Sequence, residues 1–329
     1  MKVKKRAEMP GGVKALFQNH RRKGMKRIIL DTDIGIDCDD AAAIGMLLQL
    51  EEEGKCFVEG ITTSTTREGA VEAVRAIAQY YGKDKEIGSM REPGIFCDKE
   101  NVYAKALKEH YGCSGDAQDA VEMLRRKLAQ AKEKLTLIAI GPLTNIARLI
   151  KSEGDIYSDL NGEELLRKKA DCLYIMGGSF KENYAPQGIA EEKEIIREWN
   201  ILQDIESARY VMEKCTCPMV LCPFEAGNYV KTEMRAGENP VWYAMKTFAD
   251  YEKRECGNGF TRESWDPVTC LAALEDCSAY FDLSDEGRIT VSEDGETVFH
   301  PEEKGTARFL IVKGNYDGLA ERINSLVRD

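Results

Sequence analysis

Short apolar runs and longer segments with helical spacing alternate along the chain. The runs Ile28 to Leu30, Cys56 to Thr62 and Leu135 to Ile140 are typical of buried strands. Between the second and third runs, the segment Glu68 to Tyr81 places its apolar residues on one helical face. This alternation predicts an α/β fold, with a single open, mostly parallel, Rossmann-like sheet flanked by helices.

The second half of the chain continues the same pattern. Its predicted strands are Cys172 to Met176, Pro218 to Cys222, Arg288 to Ser292 and Arg308 to Val312, and its predicted helices are Ile205 to Lys214, Pro240 to Arg254 and Tyr316 to Val327. No repeat or low-complexity linker divides the sequence, so one domain is predicted over residues 25–329. Residues 1–24 are rich in Lys and Arg and contain the breaker Pro10-Gly11-Gly12, so we expect a basic extension without a catalytic part.

The first apolar run ends in a dense group of acidic residues. Five acids fall within ten positions, and they are Asp31, Asp33, Asp37, Asp39 and Asp40. Ligands bind at the carboxyl ends of strands in open α/β sheets, which is where these residues lie. A helix follows from about Ala41 to Leu50, but capping that helix requires one acid rather than five. A divalent cation would relieve the repulsion, and oxygen ligands favour calcium or magnesium.

The segment from Asp31 to Ala41 resembles the metal-binding signature of the inosine-uridine preferring nucleoside hydrolase family, D-x-D-P-G-x-D-D-A. Ile34 replaces the proline, and two extra residues precede the final Asp pair, as in one branch of that family. Four further landmarks follow in the family's order: the Gly141-Pro142-Leu143-Thr144-Asn145-Ile146-Ala147 helix start, Met176-Gly177-Gly178, Glu198-Trp199-Asn200 and Trp265-Asp266-Pro267. The likeness therefore spans about 240 residues.

The resemblance implies one calcium ion bound by oxygen atoms. Its expected ligands are Asp33, Asp40, Asp266 and the backbone carbonyl of Ile140, and a carbonyl ligand tolerates any side chain. Asp33 is also expected to act as the general base. The Asp266-Pro267 pair equally suits a helix start with Asp as the N-cap, so a structural role stands beside the metal role.

The resemblance also implies a ribose-binding set. Asp39, Glu198 and Asn200 are expected to contact ribose hydroxyls, because a carboxylate and an amide two residues apart project to one side of an extended segment. Asp31 and Asp37 are expected to orient the cluster from behind without binding the substrate.

Three positions depart from the family pattern or match it loosely. Arg67 stands where relatives carry a substrate-contacting Asn, and it either contacts the substrate or caps a solvent-facing turn. His110 lies in a loop-like segment, Glu109 to Gly115, that resembles a mobile loop of relatives, and it is either chemically active or merely solvated. Trp265 replaces a histidine, and it either stacks on a purine base or packs in the core.

Composition limits the partners. The net charge of −11 argues against a nucleic-acid partner, whereas a small neutral or cationic ligand fits. No apolar run approaches the roughly 18 residues of a membrane span, and no secretory signal is recognised. Eleven cysteines without a C-x-x-C pair favour reduced thiols and a cytoplasmic location. The resemblance implies a homo-oligomer, either a dimer or a tetramer.

The predicted activity is calcium-dependent hydrolysis of the N-glycosidic bond of ribonucleosides to base and ribose, with purine ribosides as the expected substrates. One alternative is a non-catalytic or altered-specificity protein that binds a ribosyl ligand. A second is a phosphohydrolase similar to the haloacid dehalogenases, which also begins with D-x-D at a strand end. The Met176-Gly177-Gly178 and Trp265-Asp266-Pro267 landmarks fit that class poorly.

Overall fold

The computed structural model describes residues 25–92, 100–183 and 196–327. The strands, in chain order, are β1 Lys26–Thr32, β2 Cys56–Thr63, β3 Ile87–Ser89, β4 Gln118–Asp119, β5 Leu135–Ala139, β6 Ala170–Met176, β7 Met219–Cys222, β8 Lys231–Arg235, β9 Gly259–Glu263, β10 Phe281–Leu283, β11 Arg288–Val291, β12 Thr297–His300 and β13 Ala307–Val312. The predicted extension, residues 1–24, lies outside the described residues.

The helices lie between and around these strands. They are α1 Asp39–Glu52, α2 Ala70–Tyr80, α3 Ala104–Tyr111, α4 Ala120–Gln130, α5 Thr144–Lys151, α6 Gly162–Lys169, α7 Trp199–Gln203, α8 Ile205–Lys214, α9 Phe224–Gly227, α10 Pro240–Tyr251, α11 Trp265–Leu274 and α12 Asp317–Val327. Within the described ranges, no helix combines the length and apolar character that a membrane crossing requires.

Nine strands form one sheet in the order β10-β13-β7-β6-β5-β1-β2-β3-β4. Every neighbouring pair is parallel except β10 and β13. This confirms the predicted fold class, a mostly parallel sheet flanked by helices. Both faces are covered, which explains the continuous apolar strands. Within β1, Ile28 and Leu30 join one buried cluster, and Ile29 joins the other.

The strand order places the ligand-binding edge of the sheet. The chain leaves β1 toward β2, β3 and β4 on one side and then continues with β5, β6 and β7 on the other side. The order therefore reverses at β1 and β5. In open α/β sheets, such a reversal opens a crevice beyond the carboxyl ends of the strands. Asp33 follows β1 and Ile140 follows β5, so both lie at this crevice.

Two local predictions are wrong. The segment Glu109 to Gly115 was expected to be a loop, but its first three residues belong to α3. The Glu198-Trp199-Asn200 segment was expected to be extended, but α7 begins at Trp199. In both places a short helix of eight residues or fewer carries too few apolar positions to show a helical period.

Candidate active site

A cavity of about 510 Å³ opens at the strand-order reversal. We call one side of it the acidic end, defined as Asp33, Asp39, Asp40 and Asp266. The other side is the aromatic end, defined as Phe224, Phe248, Tyr251, Arg262 and Trp265. All nine of these residues line the same cavity.

Three carboxylates of the acidic end lie close together. Asp39, Asp40 and Asp266 each offer an oxygen atom, and these atoms lie within 4.8 Å of one another. Two helix N-termini bring them together, because Asp39 and Asp40 begin α1 and Asp266 lies in the first turn of α11. The backbone N–H of Asp266 donates to Asp39 Oδ2 at 3.1 Å, which ties the two helices.

The same three side chains are nearly inaccessible to solvent. Burial first, and then the charge of neighbouring carboxylates, raises the pKa of Asp39, Asp40 and Asp266 well above the usual range. Thr32 Oγ1 donates a hydrogen bond to Asp40 Oδ1, which leaves most of the carboxylate repulsion in place. A donor set of buried carboxylate oxygens suits a hard divalent cation, so the residues present fit calcium. Ser264, rather than Asp266, occupies the N-cap position of α11, so the predicted capping role of Asp266 is wrong.

Asp33 lines the cavity beside this group. Gln203 Nε2 donates to Asp33 Oδ2 at 3.1 Å, and the Arg67 guanidinium lies 3.8 Å from the same oxygen. Burial raises the pKa of Asp33, and the charge of Arg67 opposes that rise. The carboxylate is therefore positioned by one hydrogen bond, from Gln203, and by one ion pair, with Arg67, from distant parts of the chain.

Arg67 is buried behind Asp33 rather than exposed at a turn. Its guanidinium donates to the backbone carbonyls of Asp33 and, at 2.8 Å, of Glu100. The expectation that Arg67 caps a solvent-facing turn is wrong. Gly35 makes room for it, because Gly35 has a φ of +132° and a Cβ there would lie 3.1 Å from Arg67 Cδ.

Asp31 lies beneath the acidic end, at the end of β1. Its Oδ1 accepts hydrogen bonds from Thr62 Oγ1 at 2.6 Å and from Asn145 Nδ2 at 2.8 Å. Burial raises the pKa of Asp31 to about 7. Among the described residues, its Oδ2 has no hydrogen-bond partner. Asp31 does not line the cavity, in keeping with an orienting role.

Glu198 and Asn200 connect three of the sequence landmarks. Glu198 is the N-cap of α7, and its carboxylate accepts from the backbone N–H groups of Asn200, Ile201 and Gly178 at 2.9, 3.1 and 3.2 Å. Burial raises the pKa of Glu198 to about 7, against these three hydrogen bonds. Asn200 Nδ2 donates to the Ile140 carbonyl at 3.2 Å. A carbonyl has two lone pairs, so the Ile140 oxygen keeps one for another partner.

The aromatic end is built from ring contacts. The rings of Phe224 and Trp265 stack with centroids 5.6 Å apart, and Trp265 Nε1 donates to the Phe224 carbonyl at 3.0 Å. The Arg262 guanidinium lies 4.9 Å from the Trp265 ring and 5.0 Å from the Phe248 ring. Trp265 therefore faces the cavity and also packs against the core, so both of its expected roles have a structural basis.

Asp37 joins the two ends. It was expected to lie behind the acidic cluster, but it lines the cavity and pairs with Arg262 through two hydrogen bonds, Nε to Oδ1 at 2.9 Å and Nη2 to Oδ2 at 2.5 Å. Four residues were not predicted from the sequence as site residues, namely Arg262, Phe224, Phe248 and Gln203. Asp37 was the available signal, since an extra half-buried acid requires a cationic partner.

His110 lies outside the residues that line this cavity. It is exposed on α3, and its ring stacks on Tyr243 with centroids 4.3 Å apart. The described structure therefore gives His110 no contact with the acidic or the aromatic end.

The chain matches a known protein family over most of its length. The family model for inosine-uridine preferring nucleoside hydrolase matches residues 28–319. A non-specific ribonucleoside hydrolase of Klebsiella pneumoniae subsp. pneumoniae is 29% identical over 210 residues, which are 61% of this chain and 62% of that protein. The chain thus spans about three fifths of the length of this curated relative.

Two solved structures share the fold. The inosine-uridine preferring nucleoside hydrolase of Bacillus anthracis gives a TM-score of 0.64 at 21% identity, over 92% of this chain and 99% of that one. A type III effector protein solved with adenosine diphosphate ribose gives 0.63 at 15% identity, over 96% of each chain. Because the family model matches most of the sequence, including every residue of the acidic end, this chain belongs to the inosine-uridine preferring nucleoside hydrolase family.

Proposed function

We propose that this protein hydrolyses the N-glycosidic bond of ribonucleosides and releases a free base and ribose. The observation that carries this proposal is the single cavity in which Asp33 lies beside three clustered carboxylates and the pair Glu198 and Asn200. The reacting carbon of a sugar held there would lie close to a general base that can activate water. It would also lie close to the negative charge of the clustered carboxylates.

Asp33 is proposed as the general base. A water molecule forms a bond from its oxygen to C1′ of the ribose, the C1′–N bond breaks with its electron pair moving to the base, and the base takes up a proton from solvent. The proton of that water passes to Asp33, whose Oδ2 is held by Gln203 at 3.1 Å. The carboxylates of the acidic end also stabilise the positive charge that develops on the sugar, which lowers the barrier.

The remaining residues are proposed to hold the sugar. Glu198 is fixed by three backbone donors, and Asn200 is fixed by the Ile140 carbonyl, so neither needs to reorganise when ribose hydroxyls bind. Preorganisation of this kind directs binding energy into orientation of the reacting bond.

Calcium is the proposed metal. Asp40 and Asp266 belong both to the set implied by the sequence and to the tight trio, whereas Asp39 is in the trio and was expected to bind ribose. We propose Asp33, Asp40, Asp266 and the Ile140 carbonyl as ligands, with Asp39 adjacent to the ion and to a ribose hydroxyl. When bound, calcium would orient the attacking water and lower its pKa.

Purine ribosides are the proposed substrates, because the Trp265 ring faces the cavity next to Asp266 and offers a surface on which a bicyclic base can stack. A homo-oligomer, either dimer or tetramer, and a cytoplasmic location remain predictions.

A second candidate function is binding of a ribosyl ligand without turnover. It is favoured by the 3.8 Å approach of Arg67 to Asp33, because a nearby guanidinium weakens a carboxylate as a base. The effector protein noted above was solved with a ribosyl ligand, adenosine diphosphate ribose.

Chromatography of released base separates the two candidates. Purified protein, stripped of metal and then supplied with calcium, is incubated with adenosine, inosine, guanosine, uridine and cytidine. Calcium-dependent release of base supports hydrolysis. Saturable binding of these nucleosides in calorimetry without any release would instead support the second candidate.

A further inference from the structure

Charge along the cavity is strongly unbalanced. Among the described residues, eight acidic side chains line it, against two basic ones, Arg197 and Arg262. A divalent cation at the acidic end would cancel only part of this excess. The acidic lining also extends beyond the acidic end, since Asp37 lies against Arg262 and Glu252 is exposed beside Tyr251.

The two arginines are themselves neutralised by pairs of carboxylates. Arg262 donates to Asp37 at 2.5 Å and to Glu263 at 2.6 Å. Arg197 pairs with Asp294 at 2.6 Å and with Glu296 at 3.3 Å. Glu263 also pairs with Lys231, so the group around Arg262 is close to neutral, whereas the charge of Arg197 is outweighed by its two partners. Together with Glu252, this excess gives a bound ligand a negative potential on this side of the cavity as well.

The aromatic end offers a leaving base flat ring surfaces and few protons. The indole N–H of Trp265 is already donated to the Phe224 carbonyl at 3.0 Å. The Arg262 guanidinium stays charged and cannot give up a proton. Among the described residues at this end, the hydroxyl of Tyr251 is the remaining O–H, and the Tyr251 side chain is 58% exposed at the mouth of the cavity.

We propose that the preferred substrates are ribonucleosides whose base carries a fixed positive charge, such as N-ribosylpyridinium or N7-alkylated purine ribosides. This deepens the proposed hydrolysis and rests on it. Aromatic faces attract such a cation through their negative quadrupole, and the excess of carboxylates adds to that attraction. Neutral purine ribosides remain substrates but react more slowly.

The chemistry of the leaving base explains the preference. When the C1′–N bond of a cationic riboside breaks, the electron pair neutralises the base, which leaves as a neutral molecule without a proton. Water supplies the oxygen to C1′, and its proton goes to Asp33 and then to solvent. A neutral nucleoside must instead gain a proton or leave as an anion, and a general acid for that step contributes about 10²–10⁴-fold.

A matched pair of substrates tests this directly. Inosine and its N7-methylated cation share the purine ring system and the ribose. They differ by one methyl group, by the charge and by the need for a proton. We expect kcat/KM for the methylated cation to exceed that for inosine by about 100-fold or more. Equal or faster turnover of inosine would overturn the inference and leave the proposed hydrolysis standing. Release of base from neither substrate would count against both.

Variants of two aromatic residues identify any hidden proton donor. The Trp265→Phe protein keeps a ring and loses the N–H, and Tyr251→Phe loses the hydroxyl. In each variant we expect the ratio of kcat/KM for the two substrates to stay within about threefold of the parent ratio. A selective loss of inosine turnover in either variant would reveal a proton donor and overturn the inference. Trp265→His, which adds a titratable donor, should reduce the ratio at least tenfold, because a general acid helps only the neutral base.

A pair of matched variants tests whether the cavity lining recognises the charge of the substrate. Glu252 lines the cavity, whereas Glu255 is equally exposed on the same segment and lies outside the cavity lining. We expect Glu252→Gln to raise KM for the methylated cation by about 2- to 5-fold at low salt, with little change for inosine and a smaller effect at high salt. Glu255→Gln should change neither. Equal effects of the two variants on KM for the methylated cation would show that the overall charge of the protein, rather than the cavity lining, attracts the cation. That result would overturn the role of the lining in charge recognition.

Discussion

The acidic end and the aromatic end of the cavity are held in different ways. Asp40 and Asp266 are 3% and 4% exposed, and hydrogen bonds from strand ends and helix N-termini fix the acidic end. The aromatic end depends on ring contacts and the Arg262 to Asp37 ion pair, and its Tyr251 is 58% exposed. The difference indicates that the proposed bond cleavage would take place on well-buried, hydrogen-bonded elements, whereas the proposed base recognition would lie on a more exposed wall.

The largest effect is expected when the proposed cation is removed from the acidic end. If the acidic end exists to hold calcium, elemental analysis should find one calcium per chain and no zinc. Chelation should abolish base release, because the clustered carboxylates would repel one another without the ion. With free calcium at about 100 times its Kd, the unfolding free energy should rise by about 2.7 kcal/mol.

The matched variants for this test are Asp40→Asn and Asp84→Asn. Asp40 belongs to the buried trio, whereas Asp84 is exposed outside the cavity lining. Calcium should raise the Tm of the Asp84→Asn protein as in the parent, and much less in Asp40→Asn. Finding zinc, or no metal after calcium loading, would contradict the assignment.

The next effect in size concerns Asp33. If Asp33 accepts the proton of water, Asp33→Asn should lower kcat by roughly 100-fold or more, the usual scale for a general base. Ribose binding, measured by calorimetry, should survive because Asp39, Glu198 and Asn200 remain. Near-normal turnover would rule out Asp33 as the general base. It would also show that bond cleavage does not depend on this residue of the acidic end.

The two ends of the cavity differ in how much of each could be predicted from the sequence. The acidic end was predictable because three of its four residues lie within eight positions, Asp33 to Asp40, directly after an apolar strand. Local spacing sufficed for these three residues, whereas the metal role of Asp266 was implied only by the family resemblance. The parallel sheet was predictable for the same reason, since alternating strand and helix patterns are local.

Except for Trp265, the aromatic end was not predictable from the spacing of residues in the sequence. Arg262 donates to Asp37, which lies 225 positions earlier in the chain. Arg262 belongs to β9, whose antiparallel pairing with β8 was not predicted from the sequence. At the acidic end, the hydrogen bond from Gln203 to Asp33 also joins residues that are 170 positions apart, so it was not predictable either. Contacts that depend on tertiary folding leave no periodic signal along the chain.

A moderate effect is expected at Trp265. If its ring stacks on the base, Trp265→Ala should lower kcat/KM for inosine by about tenfold more than for uridine, because stacking contributes roughly 1–3 kcal/mol per base. Trp242 is buried in α10 outside the cavity lining, so Trp242→Phe is the matched control for core damage. Equal losses for purine and pyrimidine ribosides in Trp265→Ala would show that Trp265 acts only as a packing residue.

The smallest effect concerns a buried acid behind the aromatic end. Glu225 lies next to Phe224, and its carboxylate accepts from Ser179 Oγ and, at 3.4 Å, from the Phe180 backbone N–H. Burial raises the pKa of Glu225 from 4.5 to about 7. A bound cation would favour the ionised form of the carboxylates at the acidic end. Glu225 does not line the cavity, so it would not be affected in this way and keeps its proton more readily.

The sign of the resulting pH dependence follows from proton binding. Between about pH 4.5 and 7, folded Glu225 retains a proton that the unfolded chain has released, so stability falls as the pH rises through this window and levels off above it. The loss should be at most about 3 kcal/mol, since one pKa unit corresponds to 1.36 kcal/mol. Glu225→Gln cannot ionise, so its Tm should fall less than that of the parent between pH 5 and pH 8, by a few degrees. The two proteins are compared by calorimetry with chelator present throughout, so that Asp31 and Glu198 contribute equally to both curves. Parallel curves of Tm against pH would mean that Glu225 is ionised in the folded protein. The buried acids at the two ends would then not differ in their protonation.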